Sequence, residues 1–240
     1  MSTAKATGTL YLMPVWLGDH GGTEQLPPVN IAIARGITLW YCEQERTARR
    51  MLRRMDPAFD LNAIELHRLD QETTATEAVE MLRPVIAGRD GAIISEAGMP
   101  GIADPGALLV QVAHQHDVPV VPLIGPSSLF LALAASGLNG QRFSFHGYLP
   151  VKPHDRKQAV KRIEGDALRT GAAQLFIETP YRNDALLADL LSTCAPDTLL
   201  CIATDVTQPE GTVRTQRIAA WRKHPVTIGK RPTVFVLGRR

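Results

Sequence analysis

The sequence predicts an α/β protein of two domains, and three observations lead to this prediction. Through the first half, short apolar runs alternate with segments of helical periodicity, which indicates β-α-β units and a mostly parallel sheet covered on both faces. The second half has longer loops and a less regular order, for which we expect a separate domain with a mixed sheet. A chain of 240 residues is long enough for two small cores. We therefore predict domains at residues 1–122 and 123–240.

Periodicity predicts the elements of the first domain. Apolar runs predict strands at residues 9–15, 37–43, 64–69, 92–95 and 118–123. Helical spacing predicts helices near residues 29–35, 45–55, 76–87 and 105–114. Pro84 must kink or shorten the third of these helices. The runs at 92–95 and 118–123 are continuously apolar, which is typical of strands buried on both faces.

The second domain is predicted in the same way. Its helices are expected at residues 129–135, 155–163 and 184–192. Its strands are expected at residues 142–146, 174–178, 198–204 and 233–237. Ser136-Gly137 ends the first of the helices.

Composition excludes several classes of protein. The 26 basic and 24 acidic residues give a net charge of +2, which argues against binding a polyanion over the whole surface but permits local basic patches. No run approaches the roughly 20 apolar residues of a membrane helix, and residues 1–8 lack the apolar core of a secretory signal. The three cysteines form no C-x-x-C pair, so neither a disulfide framework nor a thiolate metal site is predicted. We expect a cytoplasmic protein that does not bind membranes.

Three loops at predicted strand ends carry the candidate site. Residues 95–106, SEAGMPGIADPG, combine three glycines and two prolines, which permits close approach of a ligand to a rigid backbone. Asp104 is expected to cap the following helix, with Pro105 in its first position. Residues 125–128, GPSS, offer a helix cap or a ligand contact, and residues 177–183 bring an acid, a base, an aromatic and an amide together. Residues 16–22 contain no G-x-G-x-x-G, which disfavours a nicotinamide dehydrogenase.

The order of several motifs carries a resemblance to a known family. They are GTLY at 8–11, SEAGMPGIADPG at 95–106, VPLIGPSS at 121–128, ASGL at 135–138, FHGYLP at 145–150 and ETPYR at 178–182. In this order the chain resembles the tetrapyrrole (corrin/porphyrin) methylase superfamily over essentially its whole length. Within it, the chain is most similar to the branch that methylates a ribose 2′-oxygen of bacterial 16S ribosomal RNA. Departures such as Glu43-Gln44-Glu45-Arg46 in place of E-D-T-R make a paralogous subgroup of that branch the better match.

The resemblance implies two α/β domains with S-adenosylmethionine in the cleft between them, a homodimer and a small-subunit ribosomal RNA substrate. By motif, it implies that the methionine and ribose portion of the cofactor lies beside Gly98, Met99, Pro100, Ile102, Ser127 and Ser128. It further implies that Ile177, Glu178, Ala203, Thr204, Pro232 and Thr233 surround the adenine. Val15 would close the site from the first strand.

Methylation of a ribose hydroxyl needs a group that accepts its proton. We nominate Glu43 and Glu96, each at a predicted strand end, with Arg46 as a phosphate or transition-state partner. The alternative for Glu43 is a salt bridge to Arg46 or Arg50. His114 and His116 are two positions apart on a helix and point to different faces, so no metal site is predicted.

Basic residues form two candidate RNA surfaces. One lies on the predicted helix 45–55 and comprises Arg46, Arg49, Arg50, Arg53 and Arg54. The other lies in the second domain and comprises Lys152, His154, Arg156, Lys157, Lys161 and Arg162. The alternative is a solvated helical face in each case. His146 is interpreted as a core histidine bonded to backbone, with a role in the site as the alternative.

The sequence thus favours an S-adenosylmethionine-dependent methyltransferase acting on an RNA ribose 2′-oxygen. Two alternatives stay open. A tetrapyrrole C-methyltransferase would need a cleft wide enough for a macrocycle. A cofactor-binding regulator without turnover would account for the altered segments at Glu43–Arg46 and Glu96–Pro100.

Overall fold

The computed structural model describes residues 7–239, which divide into two compact units. The first unit ends at Ser127 and the second begins at Ser128. The boundary that the sequence predicts, between residues 122 and 123, lies at the end of the last strand of the first unit. Residues 1–6, most of the segment judged not to be a secretory signal, lie outside the described residues.

The first unit alternates strands and helices as predicted. Its strands are β1 (Leu10–Met13), β2 (Leu39–Cys42), β3 (Glu65–Arg68), β4 (Gly91–Ile94) and β5 (Val120–Pro122). Its α-helices are α1 (Pro28–Gly36), α2 (Glu45–Met55), α3 (Ala75–Ile86) and α4 (Ala107–Gln115). Within the described part of this unit the strands form one parallel sheet, sheet A, in the order β3-β2-β4-β1-β5.

Strand β2 shows how sheet A is buried on both faces. Trp40 and Cys42 pack in one apolar cluster, whereas Leu39 and Tyr41 pack in another, as the two-residue period of a strand requires. Helix α2 contributes Leu52 to the first cluster, and α3 contributes Leu82 to the second. The helices therefore cover opposite faces of the sheet.

One detail of the first unit differs from the prediction. Strand β5 is an edge strand whose Val120 is half-buried and whose Pro122 is exposed, so the apolar run at 118–123 does not mark a strand buried on both faces. Pro84 lies inside α3, two residues before the helix ends. The Thr74 capping box with Glu77 fixes the other end of that helix.

The second unit contains two elements that the sequence did not predict. Its helices are α5 (Ser128–Ser136), α6 (Pro153–Thr170), α7 (Asn183–Thr193) and α8 (Ile218–Lys223). Its strands are β6 (Phe143–Tyr148), β7 (Ala173–Ile177), β8 (Leu199–Thr204), β9 (Thr212–Arg217) and β10 (Thr233–Gly238). The prediction omitted β9 and α8, because β9 is a polar edge strand, TVRTQR, without an apolar run.

Within its described residues the second unit has a mixed sheet, sheet B, in the order β6-β7-β10-β8-β9. Strands β6 and β7 are parallel, and the other neighbours are antiparallel. Strand β10 directs Phe235 and Leu237 to one apolar cluster and Val234 and Val236 to the other. The predicted combination of a parallel-sheet domain and a mixed-sheet domain is confirmed.

Candidate active site

Loops from three neighbouring strands of sheet A meet at Gly98. The backbone N–H of Val15, after β1, donates to the carbonyl oxygen of Gly98, after β4, at 2.9 Å. Gly98 has a φ of +72°, and a Cβ built there would lie 3.2 Å from the Pro126 carbonyl oxygen and 3.3 Å from Leu17 Cδ2. Because β4, β1 and β5 are adjacent, their carboxyl ends bring these loops together. The glycine is required by both its backbone conformation and the close approach.

Two further acids lie at the same end of the sheet, after β2 and β4. We use "sheet A rim" for the group formed by Val15, Glu43, Glu96, Gly98 and Asp104. Glu43 is exposed, and Glu96 is half-buried with its Oε1 buried and unpartnered within the described residues. No ion pair of Glu43 with Arg46 or Arg50 is found among residues 7–239, so the salt-bridge alternative is not supported.

The pKa of Asp104, the third acid of the sheet A rim, is raised above its ordinary value. Burial raises its pKa to about 6, and the negative charges of Glu43 and Glu96 add to this, whereas a hydrogen bond with Ser95 lowers the pKa in part. The prediction that Asp104 caps the next helix is wrong. Helix α4 begins at Ala107 after Gly106, whose φ of 137° sets the turn, so the Asp104 carboxylate is not used as a cap.

The sequence therefore did not predict Asp104 as a candidate site residue. It assigned the Asp-Pro pair to helix capping, which is the commoner use of that dipeptide. A signal was nevertheless present, because Glu96 and Asp104 flank the same glycine-rich loop after a buried strand.

The remaining predicted site residues of the first unit differ in how much of each residue is exposed. The side chain of Val15 is buried in the core, so only its backbone is available. Met99 and Ser127 are half-buried, as is Ser128 at the start of the second unit, whereas Pro100 is buried. Ile102 is an exposed apolar side chain in the same loop.

Three predicted segments of the second unit meet at one end of sheet B. We use "sheet B rim" for the group formed by Ile177, Glu178, Ala203, Thr204, Pro232 and Thr233. Val234 pairs with both Ile177 and Ala203, and Thr233 pairs with Thr204, because β10 begins where β7 and β8 end. The hydroxyls of Thr233 and Thr204 lie 3.3 Å apart. Residues about 25 to 55 positions apart in sequence thus share one short stretch of sheet.

The acid of the sheet B rim is paired with an arginine. The Glu178 side chain is completely buried, and its Oε1 accepts from the Arg182 guanidinium at 2.5 Å and from the Thr179 N–H at 2.7 Å. Its Oε2 is buried and has no partner within the described residues. Ala203, Thr204 and Thr233 are almost fully buried, so they present mainly backbone.

The arginines of the predicted surface on α2 are of two kinds: some bind backbone carbonyl oxygens, and others are exposed. Arg54 donates to the carbonyl oxygens of Asp19 and Gly21 and lies over the Trp16 ring, while Arg49 donates to Leu61. Arg46 and Arg50 are exposed, one helical turn apart, and have no hydrogen bond or ion pair within residues 7–239. These two are the arginines of this helix best placed for phosphates.

The basic surface of the second unit needs one correction. Arg156 is buried and forms an ion pair of 2.6 Å with Asp189, so it is part of the core and does not face a phosphate. Lys157 and Lys161 are exposed at successive turns of α6, with Lys157 3.4 Å from Asp189. His146 bonds to the side chain of Gln174 at 2.7 Å, where the sequence predicted a backbone partner.

Residues 7–239 lack two other kinds of site. They contain no group of three or more His, Cys, Asp or Glu side chains arranged to hold a metal ion. The same residues include no helix of the length and apolarity that a bilayer crossing requires.

Comparisons with known proteins agree with this picture. The family model of the Tetrapyrrole (Corrin/Porphyrin) Methylases matches residues 21–220. The solved structure titled "Crystal structure of the methyltransferase CobJ" superposes with a TM-score of 0.64 at 21% identity, covering 97% of this chain and 95% of that one. At this identity the similarity is one of fold.

Relatives of known name are closer in sequence. "Ribosomal RNA small subunit methyltransferase I" of Micromonospora olivasterospora is 35% identical over 185 residues, 77% of this chain and 55% of the relative. The protein of the same name from Xylella fastidiosa is 32% identical over 84% of this chain and 69% of its own length. The protein of the same name from Escherichia coli O157:H7 is 28% identical over 98% of this chain and 79% of its own length. The chain thus spans little more than half of the first relative and larger shares of the other two.

Proposed function

The chain belongs to the family of tetrapyrrole (corrin/porphyrin) methylases, and we propose that it transfers a methyl group from S-adenosylmethionine to a ribose 2′-oxygen of small-subunit ribosomal RNA. The observation that carries this proposal is the similarity, over most of the chain, to relatives named for ribosomal RNA methylation. The geometry of the two rims supports it.

The residues present fit a nucleoside cofactor. At the sheet A rim, the absence of a side chain at Gly98 lets the loops after β1, β4 and β5 pack closely, since a Cβ there would press on Leu17 and Pro126. At the sheet B rim, Glu178 keeps one buried carboxylate oxygen without a partner in the described residues. An unused buried acceptor is a feature that a ligand rich in hydrogen-bonding groups can use.

We assign two sets of residues to the cofactor. For its methionine and ribose portion we propose Val15 through its backbone, and Gly98, Met99, Pro100, Ile102, Ser127 and Ser128. For its adenine we propose Ile177, Glu178, Ala203, Thr204, Pro232 and Thr233. The buried members act through backbone groups and shape.

Methyl transfer to a ribose hydroxyl requires a group that accepts the hydroxyl proton and residues that align the methyl donor with the acceptor. When bound, S-adenosylmethionine would supply a sulfonium methyl group for transfer to the ribose oxygen. We propose that the Asp104 carboxylate accepts the hydroxyl proton, because its pKa of about 6 leaves it deprotonated yet basic near neutral pH. Burial is the main cause of this raised pKa, the negative charges of Glu43 and Glu96 add to it, and these two glutamates are the alternative proton acceptors. Arg46 is proposed to contact an RNA phosphate beside them.

The two alternatives have less support. The similarity to CobJ is one of fold, and no residue pattern of the chain favours a tetrapyrrole acceptor. A regulator without turnover would not need the cluster of unpaired acids at the sheet A rim. A cytoplasmic location and a homodimer are part of the proposal and rest on the family resemblance; sedimentation of the purified protein tests the dimer.

Incubation with methyl-labelled S-adenosylmethionine and three separate pools tests the function. The pools are small ribosomal subunits, total RNA freed of protein and a tetrapyrrole extract. We expect label in ribosomal RNA, recovered after digestion as a 2′-O-methylated nucleoside. Label in the tetrapyrrole pool would support the first alternative, and cofactor binding without transfer to any pool would support the regulator.

A further inference from the structure

An exposed aromatic ring lies next to the sheet B rim. Tyr181, in the 3-10 turn between β7 and α7, is 79% exposed, the highest value among the large apolar and aromatic side chains of the described residues. The Lys230 ammonium lies 5.1 Å from the centre of its ring. No carboxylate pairs with Lys230 among residues 7–239. The ring therefore combines an accessible aromatic surface with an available positive charge.

The turn that carries Tyr181 is firmly held. The buried Glu178 binds Arg182 at 2.5 Å, on the far side of Tyr181 in sequence, and the Arg182 Nε donates to the Thr179 hydroxyl at 3.2 Å. Thr179 N–H donates to Glu178 as well. Ion pair and hydrogen bonds thus close the turn on both sides of an exposed tyrosine.

The segment that carries Lys230 is held by the residues that follow Tyr181. The fully buried Asn183 donates to the carbonyl oxygen of Arg231 at 2.7 Å, and Asp184 accepts from the Ile228 N–H at 2.7 Å. The Arg231 side chain binds Asp205 at 2.6 Å, which leaves Lys230 as the free cation of the pair. Tyr181 and Lys230 are therefore positioned relative to each other by one connected framework.

We propose that Tyr181 and Lys230 form a stacking site for an unpaired base of the RNA substrate, an inference that rests on the proposed function. An aromatic ring stacks on any base, and a nearby lysine serves the adjacent phosphate. Prior positioning of both side chains lowers the ordering cost of binding. A tyrosine that merely covered the protein surface would not need such a framework while leaving most of its ring in solvent.

The position of the site connects it with the reaction. Tyr181 follows Ile177 by four residues, and Lys230 precedes Thr233 by three, so both emerge from the end of sheet B that carries the proposed adenine contacts. A base stacked on Tyr181 would hold its strand of RNA at this end of the sheet. Stacking there selects for single-stranded or splayed RNA over a continuous duplex.

The test compares RNA and cofactor affinities on the same preparations. The probe is a fluorescein-labelled single-stranded RNA of about ten nucleotides, within the usual site size of such surfaces, followed by anisotropy. We expect Tyr181→Ala to raise its Kd by about 5- to 150-fold, as loss of one base stack does. Tyr181→Phe keeps the ring and should restore most of the affinity, and Lys230→Gln should weaken binding by a smaller factor. Phe143→Ala, an exposed aromatic at the opposite end of the parallel pair β6/β7, is the matched control.

Three kinds of result would contradict the inference. Unchanged RNA affinity in Tyr181→Ala, or equal losses in Tyr181→Ala and Phe143→Ala, would overturn the inference and leave the proposed function standing. A loss of S-adenosylmethionine affinity alone, by calorimetry, would reassign Tyr181 to the cofactor. A wild-type protein that binds the cofactor but no RNA would remove the proposed substrate, and the stacking site with it.

Discussion

The two rims use their acidic residues in opposite ways. At the sheet A rim, burial raises the pKa of Asp104 and the nearby charges of Glu43 and Glu96 add to this, and no arginine or lysine forms an ion pair with these three acids among residues 7–239. In the second unit, Glu178, Asp205 and Asp189 each bind an arginine at 2.5 to 2.7 Å. Acids without a cation are costly to keep together, whereas paired acids fix the backbone around them. We therefore propose proton chemistry for the first rim and a positioning role for the acids of the second.

The largest effect is expected from removing the proposed base, Asp104, at the sheet A rim. Asp104→Asn keeps the shape of the side chain but cannot accept a proton at neutral pH, so kcat should fall by about 10²- to 10⁴-fold. In the wild type, kcat/KM should rise with pH through about 6, since the Asp104 carboxylate is then deprotonated. Steady-state methyl transfer across pH 5 to 8 measures both.

Glu178→Gln is the matched control for that loss, because it neutralises an acid of the other rim. If its kcat fell as far as that of Asp104→Asn, the separation of proton chemistry from positioning would be wrong. An unchanged pH profile in Asp104→Asn would point to Glu96 or Glu43 as the proton acceptor.

Glu178→Gln should change the free energy of unfolding more than Asp104→Asn does. It removes the charge that binds Arg182, although the amide oxygen of the glutamine can still accept from the Thr179 N–H. Since Arg182 retains some access to solvent, we expect a loss of about 1–3 kcal/mol in the free energy of unfolding. Denaturant titration measures it, and a loss below the error of that titration would contradict the positioning role.

At the sheet A rim the expected change in stability has the opposite sign. The ordinary aspartate pKa is 3.8 and that of folded Asp104 is about 6, so the folded state binds more protons between these values and stability falls as pH rises through that window. Asp104→Asn removes this loss. Its unfolding temperature should exceed that of the wild type by about 2–4 °C at pH 8, with little difference at pH 4. A higher unfolding temperature for the wild type at pH 8 would mean that the carboxylate stabilises the fold.

The smallest effects are expected on the surface of α2. Arg46→Gln and Arg50→Gln should each weaken RNA binding a few-fold and reduce its log–log dependence on salt by about one. The matched control is Arg53→Gln, whose guanidinium already donates to the Pro57 carbonyl oxygen. Equal salt dependence in all three variants would indicate a solvated face without a role in RNA binding.

The sequence predicted most of the elements because apolar runs and helical spacing coincide with buried strands and helix faces. Helix α2 is the clearest case, since its predicted and observed bounds are both 45–55. The failures have physical causes. Strand β9 is polar and lies at an edge, where burial imposes no apolar pattern, and β5 is apolar although one of its sides has no neighbouring strand.

The site was predictable as a set of segments and not as a set of interactions. Parallel strands bring Val15, Gly98 and Glu96 to one end of a sheet, which motif spacing anticipates. Whether an acid is paired depends on residues far away in sequence, as for Arg156 with Asp189, or on a turn such as that at Gly106, which frees Asp104 from helix capping. The sequence alone therefore did not predict which acids are paired with a cation.

The most direct test of the account is a calorimetric titration with S-adenosylhomocysteine of the wild type, Gly98→Ala and Gly101→Ala. Both glycines have positive φ, +72° and +78°, but an added Cβ meets Pro126 and Leu17 only at Gly98 and meets nothing within 4 Å at Gly101. We predict binding to the wild type, affinity near that of the wild type in Gly101→Ala, and a loss of about tenfold or more, about 1.4 kcal/mol, in Gly98→Ala. Absence of binding to the wild type, or equal losses in the two variants, would contradict a cofactor site at the sheet A rim.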